Sequence, residues 1–421
     1  MFSIKVQTYN KNIGSCEFMF LKLFQIKNYK LFTVNMGLLG MAIAITVPFL
    51  VLYATQQLGM SKGQYGLLMA LAASASFTVN SIVARFSDSG KINRKYLIIT
   101  ALIMGALCFS IYFYIHTIWL FIALYAMFQG LAAPAMPQMY ASARESINES
   151  AYKDRSIFAN TVLRSTFSLG FLFGPLIGTL LLSIFGYDGL FGGTMTLFLT
   201  VLVLLIIFYK EPKKIINNAI GNFPEKKAPN LVKEPTLLIP FLAFILLHVG
   251  QWMYTLNMPL YVTEYLKDDE SHVGYLASLC AGLEVPFMII LGIIASKFKT
   301  KTLLMVGAIF GFGYYFSIGV FDSFQAMLIG QLALAFFLAI LLGLGISYFQ
   351  DILPEFPGYA STLFANAMVI GQLGGNLLGG VMSDIVGLGN VFFVSSLSIG
   401  LAFILLIFTV EHVTHNNVKT S

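Results

Sequence analysis

Long apolar runs alternate with short polar stretches along almost the whole chain, and this pattern predicts membrane-spanning helices. Each run has 20 to 27 residues, which is enough helix to cross the hydrocarbon core of a bilayer. Six runs lie in the first half of the chain, at 31–55, 64–86, 96–115, 118–141, 157–183 and 189–209. Six lie in the second half, at 236–262, 272–296, 302–321, 324–349, 358–383 and 389–410. The pattern predicts an all-α membrane protein with twelve transmembrane helices.

A polar segment separates the two sets of spans. Residues 210–235 are rich in lysine, asparagine and proline and are too polar for hydrocarbon, so they are predicted to form a linker. We therefore expect a six-helix bundle at 31–209 and a second bundle at 236–410. Residues 1–30 and 411–421 are predicted tails.

Composition excludes a water-soluble enzyme. Of 421 residues, 57% are hydrophobic and 10% are charged, against roughly 25% charged in a soluble domain. The net charge of +6 does not indicate a nucleic-acid partner, because 21 of the 25 lysines and arginines fall in the tails and in alternate loops on one side of the predicted spans. Lys62 and Lys267 lie on the other side. The positive-inside rule predicts that both termini and the linker face the cytoplasm.

Several kinds of chemistry have no support in the sequence. It contains no phosphate-binding loop of the Walker type and no hydrolase or zinc motif. The three cysteines, Cys16, Cys108 and Cys280, are too scattered for a disulfide framework or a metal site. We therefore expect no enzyme activity, no metal and no cofactor. An intramembrane enzyme would need Glu284 and His248 to act together as a catalytic dyad.

The loop after span 2 carries the first informative motif. Asp88 closes the span and is followed by Gly90 and a basic cluster that includes Arg94. This loop resembles the corresponding signature of the major facilitator superfamily, although Ala84 stands where the family has glycine. The resemblance implies a major facilitator fold of two pseudo-symmetric bundles, with Asp88 and Arg94 as gating residues. The alternative is a solvated loop that follows the positive-inside rule.

Span 5 contains small residues at helical spacing, in the run 170–178. Gly170, Gly174 and Gly178 would let another helix approach closely, and Pro175 would bend the span. The pattern resembles the span 5 motif of exporters and antiporters in the superfamily and favours efflux. The alternative is ordinary glycine-mediated packing.

More specific likenesses occur in four segments, 135–145, 257–261, 281–286 and 348–366. Together they resemble the bacterial sugar efflux transporters, a proton-driven branch of the superfamily that exports lactose, glucose, glycosides and related compounds. The resemblance runs from span 2 to span 11 and leaves open whether translation starts at Met1 or Met19. Within these segments, Arg144 and Asp351 are further gating candidates, and an ordinary interfacial acid is the alternative for Asp351.

Glu284 is the acidic residue that we place in the middle of the membrane. It lies twelve residues, or about 18 Å of helix, from either end of span 8. A carboxyl group at that depth is costly unless it faces a polar cavity, where it can hold and release a proton or bind sugar hydroxyls. We predict that Glu284 carries the proton, binds substrate, or both; a hydrogen bond to a neighbouring helix is the alternative.

Two further residues inside the predicted spans are candidates for binding substrate or a proton. Arg164 lies about eight residues inside span 5, where it either faces the cavity as a substrate partner or extends to the interface. His248 lies in the middle of span 7 and is either a second proton site or a hydrogen-bonded core histidine.

Amide and aromatic side chains at mid-span depth predict a hydroxyl-rich substrate, because amides both donate and accept hydrogen bonds and rings pack on sugar C–H groups. The alternative for each of these side chains, taken alone, is a hydrogen bond to a neighbouring helix, which is the more common role. The set comprises Gln129, Gln251, Trp252, Asn366, Gln372 and Asn376.

The sequence thus predicts a secondary transporter that exports sugars or sugar-like compounds against protons by alternating access. It is expected in the bacterial cell membrane as a monomer surrounded by lipid. The alternatives are multidrug efflux by proton antiport, sugar uptake by symport, and a receptor that binds without transport.

Overall fold

A computed structural model describes residues 23–88, 93–150, 156–209, 229–294 and 298–409, and these residues are almost entirely helical. Helices of the first half are α1 (Tyr29–Thr46), α2 (Lys62–Asp88), α3 (Arg94–Tyr114), α4 (Ile118–Ala132), α5 (Ala135–Asn148) and α6 (Ser156–Phe208). Those of the second half are α7 (Pro235–Leu260), α8 (Glu270–Ile294), α9 (Thr300–Val320), α10 (Phe324–Ile352), α11 (Pro357–Val386) and α12 (Val391–Ile407). The all-α fold predicted from the apolar runs is confirmed.

Helix α6 consists of two antiparallel segments. Its 53 residues are interrupted at Gly186, whose φ of 64° lies in the left-handed region that glycine adopts without strain. A Cβ on Gly193 would lie 2.6 Å from the side chain of Leu181, whereas twelve residues of straight helix would separate the two by about 18 Å. The chain therefore reverses at Gly186, between predicted spans 5 and 6.

Ten stretches within the described ranges are long and apolar enough to cross a membrane, and the α12 helix, Val391–Ile407, is a shorter apolar one. The stretch that includes α6 counts as one of the ten. The predicted total of twelve spans requires that α6 crosses twice and that α12 crosses once, and it stays a prediction. Large apolar side chains are exposed along the helices, such as Ile207 and Ile329 at 64% and 72%, as expected for contact with lipid.

The chain divides into two compact units. The first comprises residues 1–46, 76–114 and 127–220, and the second comprises 47–75, 115–126 and 221–421. The bundle boundaries predicted at 31–209 and 236–410 stay a prediction. Residues 1–22 and 410–421 of the predicted tails and most of the linker, at 210–228, lie outside the described residues.

In the first unit, glycines bring α1 and α6 into direct backbone contact. A Cβ on Gly170 would lie 2.9 Å from the backbone nitrogen of Met41, and one on Gly174 would lie 3.0 Å from its carbonyl oxygen. The close helix approach predicted from the span 5 motif is confirmed, and α1 is the helix that approaches. The Tyr29 hydroxyl donates to the carbonyl of Ala159 at 2.7 Å and joins the same two helices at one end.

In the second unit, α7 packs against both α11 and α12. The Ser398 hydroxyl of α12 donates to the Leu246 carbonyl of α7 at 2.8 Å. Helices α9 and α10 meet at Gly311, where a Cβ would lie 2.9 Å from the Phe337 ring. These contacts join α7 to α12 and α9 to α10.

Candidate functional site

Three glycines at a spacing of four residues line the side of α11 that meets α7. A Cβ on Gly371 would overlap His248, one on Gly375 would lie 2.7 Å from the Trp252 Cβ, and one on Gly379 would lie 3.1 Å from the Met253 Cα. Residues four apart share one helix face, so the glycines form a continuous groove for α7. This close approach places the polar side chains of α7 beside those of α11.

His248 is fully buried in this interface, and the amide oxygen of Gln251 lies 2.9 Å from its Nδ1. Its ring packs edge-on against Phe364 at a centroid distance of 5.9 Å. With the amide oxygen as acceptor, Nδ1 carries the hydrogen, which leaves Nε2 as an acceptor. Nε2 has no hydrogen-bond partner among the described residues. His248 therefore offers an acceptor for a hydroxyl group.

Two buried donors lie on the same pair of helices as this histidine. Trp252 follows His248 by one helical turn, and its indole Nε1 is buried without a partner in the described part of the chain. Asn376 adjoins Gly375, is 2% exposed, and its Nδ2 is likewise unpaired there. One acceptor and two donors on adjacent helices suit a ligand with several hydroxyl groups, since each hydroxyl both donates and accepts.

Asn366 and Gln372 also lie on α11, and both are half-buried. The structure gives neither side chain a hydrogen bond to a described residue. Asn257, one turn beyond Met253 on α7, donates from Nδ2 to the Gly379 carbonyl at 3.1 Å and to the Met253 carbonyl at 2.9 Å. It therefore joins α7 to α11 and fixes their relative position.

Glu284 is half-buried in the interior of α8, fourteen residues after the helix begins at Glu270. This corresponds to about 21 Å of helix. Cys280 lies one turn before it on the same face, and the thiol is within electrostatic range of the carboxyl group. The carboxyl group is thus deep in the second unit.

A buried hydroxyl cluster, formed by Tyr254, Tyr314 and Gln331, lies near Cys280. The hydroxyls of Tyr254 and Tyr314 are 2.9 Å apart, and Gln331 donates from Nε2 to the Tyr314 hydroxyl at 2.8 Å. Both tyrosines are within electrostatic range of the Cys280 thiol. Sequence reasoning did not find this cluster, because its members come from α7, α9 and α10 and share no local spacing.

In the first unit, Gln129 and Arg164 have separate surroundings. The Gln129 amide oxygen accepts from the Cys108 thiol at 3.8 Å, which joins α4 to α3. Arg164 is exposed on α6 and lies near enough to the Tyr140 hydroxyl to interact with it electrostatically. The structure does not place these two side chains in one cluster.

The predicted gating residues differ in their contacts. Arg94 donates to the Glu145 carboxylate at 2.7 Å and to the Gln138 amide oxygen at 2.9 Å, which joins α3 to α5. Arg144 is exposed and makes no ion pair with a described residue. The side chain of Asp88, at the end of α2, lies outside the described part of the structure.

Asp351 is exposed at the end of α10 and accepts from the Thr300 hydroxyl at 3.0 Å. This bond joins the end of α10 to the first turn of α9. Lys301, the residue after Thr300 in α9, donates to the Ile407 and Thr409 carbonyls at 3.1 and 2.6 Å. It therefore caps the carboxyl end of α12.

Comparison with known proteins identifies the family of this chain. The sequence model of the Major Facilitator Superfamily matches residues 32–321 and 240–421. "Sugar efflux transporter A" of Dickeya chrysanthemi is 28% identical over 84% of this chain and 88% of its own. A "Multi-drug resistance efflux pump PmrA homolog" of Lactococcus lactis is 27% identical over 68% of this chain and 70% of its own. The crystal structure of the nucleoside transporter NupG superposes with a TM-score of 0.78 over 91% of this chain and 99% of NupG, at 13% identity, which supports the fold alone.

Proposed function

Because the chain belongs to the Major Facilitator Superfamily, we propose that this multi-pass membrane protein exports sugars or sugar-like compounds by alternating access. The observation that carries the proposal is the likeness to a sugar efflux transporter over most of both chains. The interface of α7 and α11 supports it independently. His248, Trp252 and Asn376 present buried polar atoms that lack a partner in the described structure and that sugar hydroxyls would satisfy.

Proton antiport is the proposed source of energy. Glu284 occupies the interior of an apolar helix, and a carboxyl group at such a position marks a proton or substrate pathway in many membrane proteins. We assign it the exchanged proton, with His248 as a second candidate. Substrate and proton would bind in alternation, and each would bias the inward–outward equilibrium by its differential affinity for the two states.

We propose that the substrate also contacts polar side chains that are half-buried or exposed, in both units. Gln251, Asn366 and Gln372 lie with His248 in the second unit, and Gln129 and Arg164 lie in the first. Arg94, Arg144, Asp88 and Asp351 remain the proposed gating residues. We further propose that both termini and the linker face the cytoplasm of a bacterium, since 21 of 25 basic residues fall in the tails, the linker and alternate loops on one side of the predicted spans. The working unit is proposed to be a monomer.

Proteoliposomes with an imposed pH gradient test the proposal directly. We expect a labelled sugar from a panel of mono- and disaccharides to move against its own gradient and to stop when the pH gradient is collapsed. Movement of a cationic dye without movement of any sugar would contradict the sugar proposal. It would favour multidrug efflux, the second candidate, which the likeness to a multidrug pump over part of the chain supports.

Glu284→Gln separates coupling from substrate binding. The amide keeps the shape of the carboxyl group but cannot carry a proton, so we expect pH-driven export to be lost while exchange of sugar for sugar continues. Glu270→Gln, the same change in the first turn of α8, is the matched control and should keep both activities. Full pH-driven export by Glu284→Gln would exclude Glu284 as the proton carrier.

A further inference from the structure

The buried hydroxyl cluster contains polar atoms that its own members do not satisfy. Gln331 is fully buried, and its amide oxygen Oε1 has no hydrogen-bond partner among the described residues. The hydroxyl of Tyr315, which is also fully buried, is unpaired there as well. The Tyr315 ring lies 5.3 Å from the Tyr254 ring and 5.6 Å from the Tyr314 ring, between centroids. Buried polar groups of this kind are costly unless water bonds them, so the cluster is a site for bound water.

The cluster lies near the end of the second unit at which α8 begins. The His272 ring of α8 stacks on the Phe324 ring of α10 at 4.4 Å, so α8 and α10 begin at the same end. Tyr314 lies six residues before the end of α9, and Gln331 lies seven residues after the start of α10. Both residues are therefore about 9–10 Å from that end along their helices.

Glu284 lies deeper from the same end. It is fourteen residues from the start of α8, or about 21 Å, and Cys280 is ten residues from it, or about 15 Å. The Cys280 thiol is within electrostatic range of Tyr254 and Tyr315 on one side and of Glu284 on the other. The order of depth is therefore the buried hydroxyl cluster, Cys280 and then Glu284.

A carboxylate that water can reach lies on the surface side of the cluster. Asp322 is exposed and accepts from the Tyr261 hydroxyl at 2.9 Å and from the Tyr265 hydroxyl at 3.2 Å. Asp322 and Tyr265 line a cavity of about 640 Å³. Tyr261 follows Tyr254 by two turns of α7, about 10 Å, on the same face of the helix. Protons from solvent can thus be collected at Asp322, on the side of α7 that holds the cluster.

The helices around the cluster supply almost no charge. Apart from their terminal turns, α7, α9 and α10 contain no acidic or basic side chain other than His248. The groups between Asp322 and Glu284 are instead hydroxyls, an amide and a thiol. Such neutral groups bond water and can pass a proton without holding it as a fixed ion pair would.

We propose that the buried hydroxyl cluster binds water and, with Tyr315 and Cys280, forms the path by which a proton from the outer surface reaches Glu284. The inference rests on the proton role and the orientation proposed above. Along the path each oxygen accepts one proton and releases another, so one O–H bond forms as the next one breaks. The hydroxyls and waters end unchanged, and the Glu284 carboxylate becomes a carboxylic acid. Gln331 is a positioning residue that orients the hydroxyls and the water.

Infrared spectroscopy measures the arrival of the proton without any sugar. A protonated carboxyl group absorbs apart from a carboxylate, and the band that is lost in Glu284→Gln belongs to this residue. The protein, inserted in proteoliposomes in a single orientation, receives an acid pulse on either the outer or the inner face. The rate at which the band appears then reports proton access from that face.

Tyr315→Phe removes a hydroxyl without a described partner, so a purely structural role predicts no loss of stability. As part of the path, its loss should slow protonation from the outer face about tenfold, the factor that corresponds to one hydrogen bond. Protonation from the inner face should match the parent. Tyr314→Phe should slow the outer-face rate at least as much. In heavy water the outer-face rate of Tyr315→Phe should fall more than that of the parent, because proton transfer has become limiting.

Tyr348→Phe is the matched control. Tyr348 is a buried tyrosine of the same unit, and its hydroxyl bonds the Thr409 hydroxyl at 3.0 Å, near the opposite end of α10. Its loss removes a buried hydrogen bond without touching the proposed path. The outer-face rate of Tyr348→Phe should therefore match the parent.

An unchanged outer-face rate in folded Tyr315→Phe would overturn the proposal, even if Tyr314→Phe fails to fold. Equal slowing from both faces would overturn it as well, because the change would then lie at Glu284 itself. So would the absence of any band that depends on Glu284, since no proton would then reach it. A protein that moves no sugar refutes the proposed export, while the infrared rates judge the path separately.

Discussion

Gly375→Ala tests whether the close approach of α7 and α11 holds the candidate site together. The added Cβ would lie 2.7 Å from both the Trp252 Cβ and the Val249 carbonyl oxygen. Both atoms belong to or adjoin the α7 backbone and cannot rotate away. Since non-bonded carbon atoms prefer about 3.5–4.0 Å, the helices must separate locally by about 1 Å.

The expected cost has two parts. Overpacking of this kind typically destabilises by about 1–3 kcal/mol, and the alanine recovers about 0.5–1 kcal/mol of helix propensity. Gly313→Ala gains the same propensity without a contact within 4 Å, so the difference between the two variants isolates the packing term. Gly374→Ala meets only a Val249 methyl group at 3.3 Å and should fall close to Gly313→Ala.

Binding should change along with stability. A shift of about 1 Å moves Trp252 relative to Asn376, and the loss of one hydrogen bond to a sugar, about 1–1.5 kcal/mol, weakens binding about tenfold. Unfolding in mixed micelles and sugar exchange in proteoliposomes would measure the two effects. If Gly375→Ala matched Gly313→Ala in both assays, the α7–α11 interface could not be what fixes the site.

Two further predictions concern polar contacts outside that interface. Glu145→Gln should lower the free energy of unfolding by about 1 kcal/mol, because it removes the carboxylate from the largely buried Arg94, whereas Glu149→Gln, the same change at an exposed position, should have no measurable effect. Tyr314→Phe should cost about 1–3 kcal/mol, because it deletes a buried hydroxyl that bonds two neighbours, while Tyr275→Phe at a 47% exposed position should be neutral in the same unfolding assay.

The helices were predictable because bilayer thickness dictates the length of an apolar run. The run 236–262 corresponds to α7 at Pro235–Leu260, and the run 324–349 to α10 at Phe324–Ile352. The reversal at Gly186 falls between the predicted spans 157–183 and 189–209, where Gly186 and Asp188 interrupt the apolar sequence. What hydropathy cannot give is the partner of each helix, because that depends on which faces meet.

Part of the candidate site could likewise be predicted from the sequence, and part of it could not. The polar residues of α7 and α11 were identifiable by depth alone, and the glycine spacing at Gly371, Gly375 and Gly379 contains a signal for helix packing that was overlooked. The hydrogen bonds from Arg94 to Gln138 and Glu145 were beyond sequence reasoning, because their members are 44 and 51 residues apart and have no shared periodicity.

The unpaired polar atoms also bear on the choice between sugar and drug as substrate. A buried donor or acceptor without a partner costs about 1–3 kcal/mol. An apolar drug bound beside His248, Trp252 and Asn376 would leave such groups unpaired. Even one of them would weaken binding roughly five- to 150-fold. A sugar that bonds the same groups avoids this cost, and a deoxy-sugar that lacks the matching hydroxyl would incur it. We therefore expect this interface to discriminate by hydroxyl pattern, which a pocket built for apolar drugs would not do.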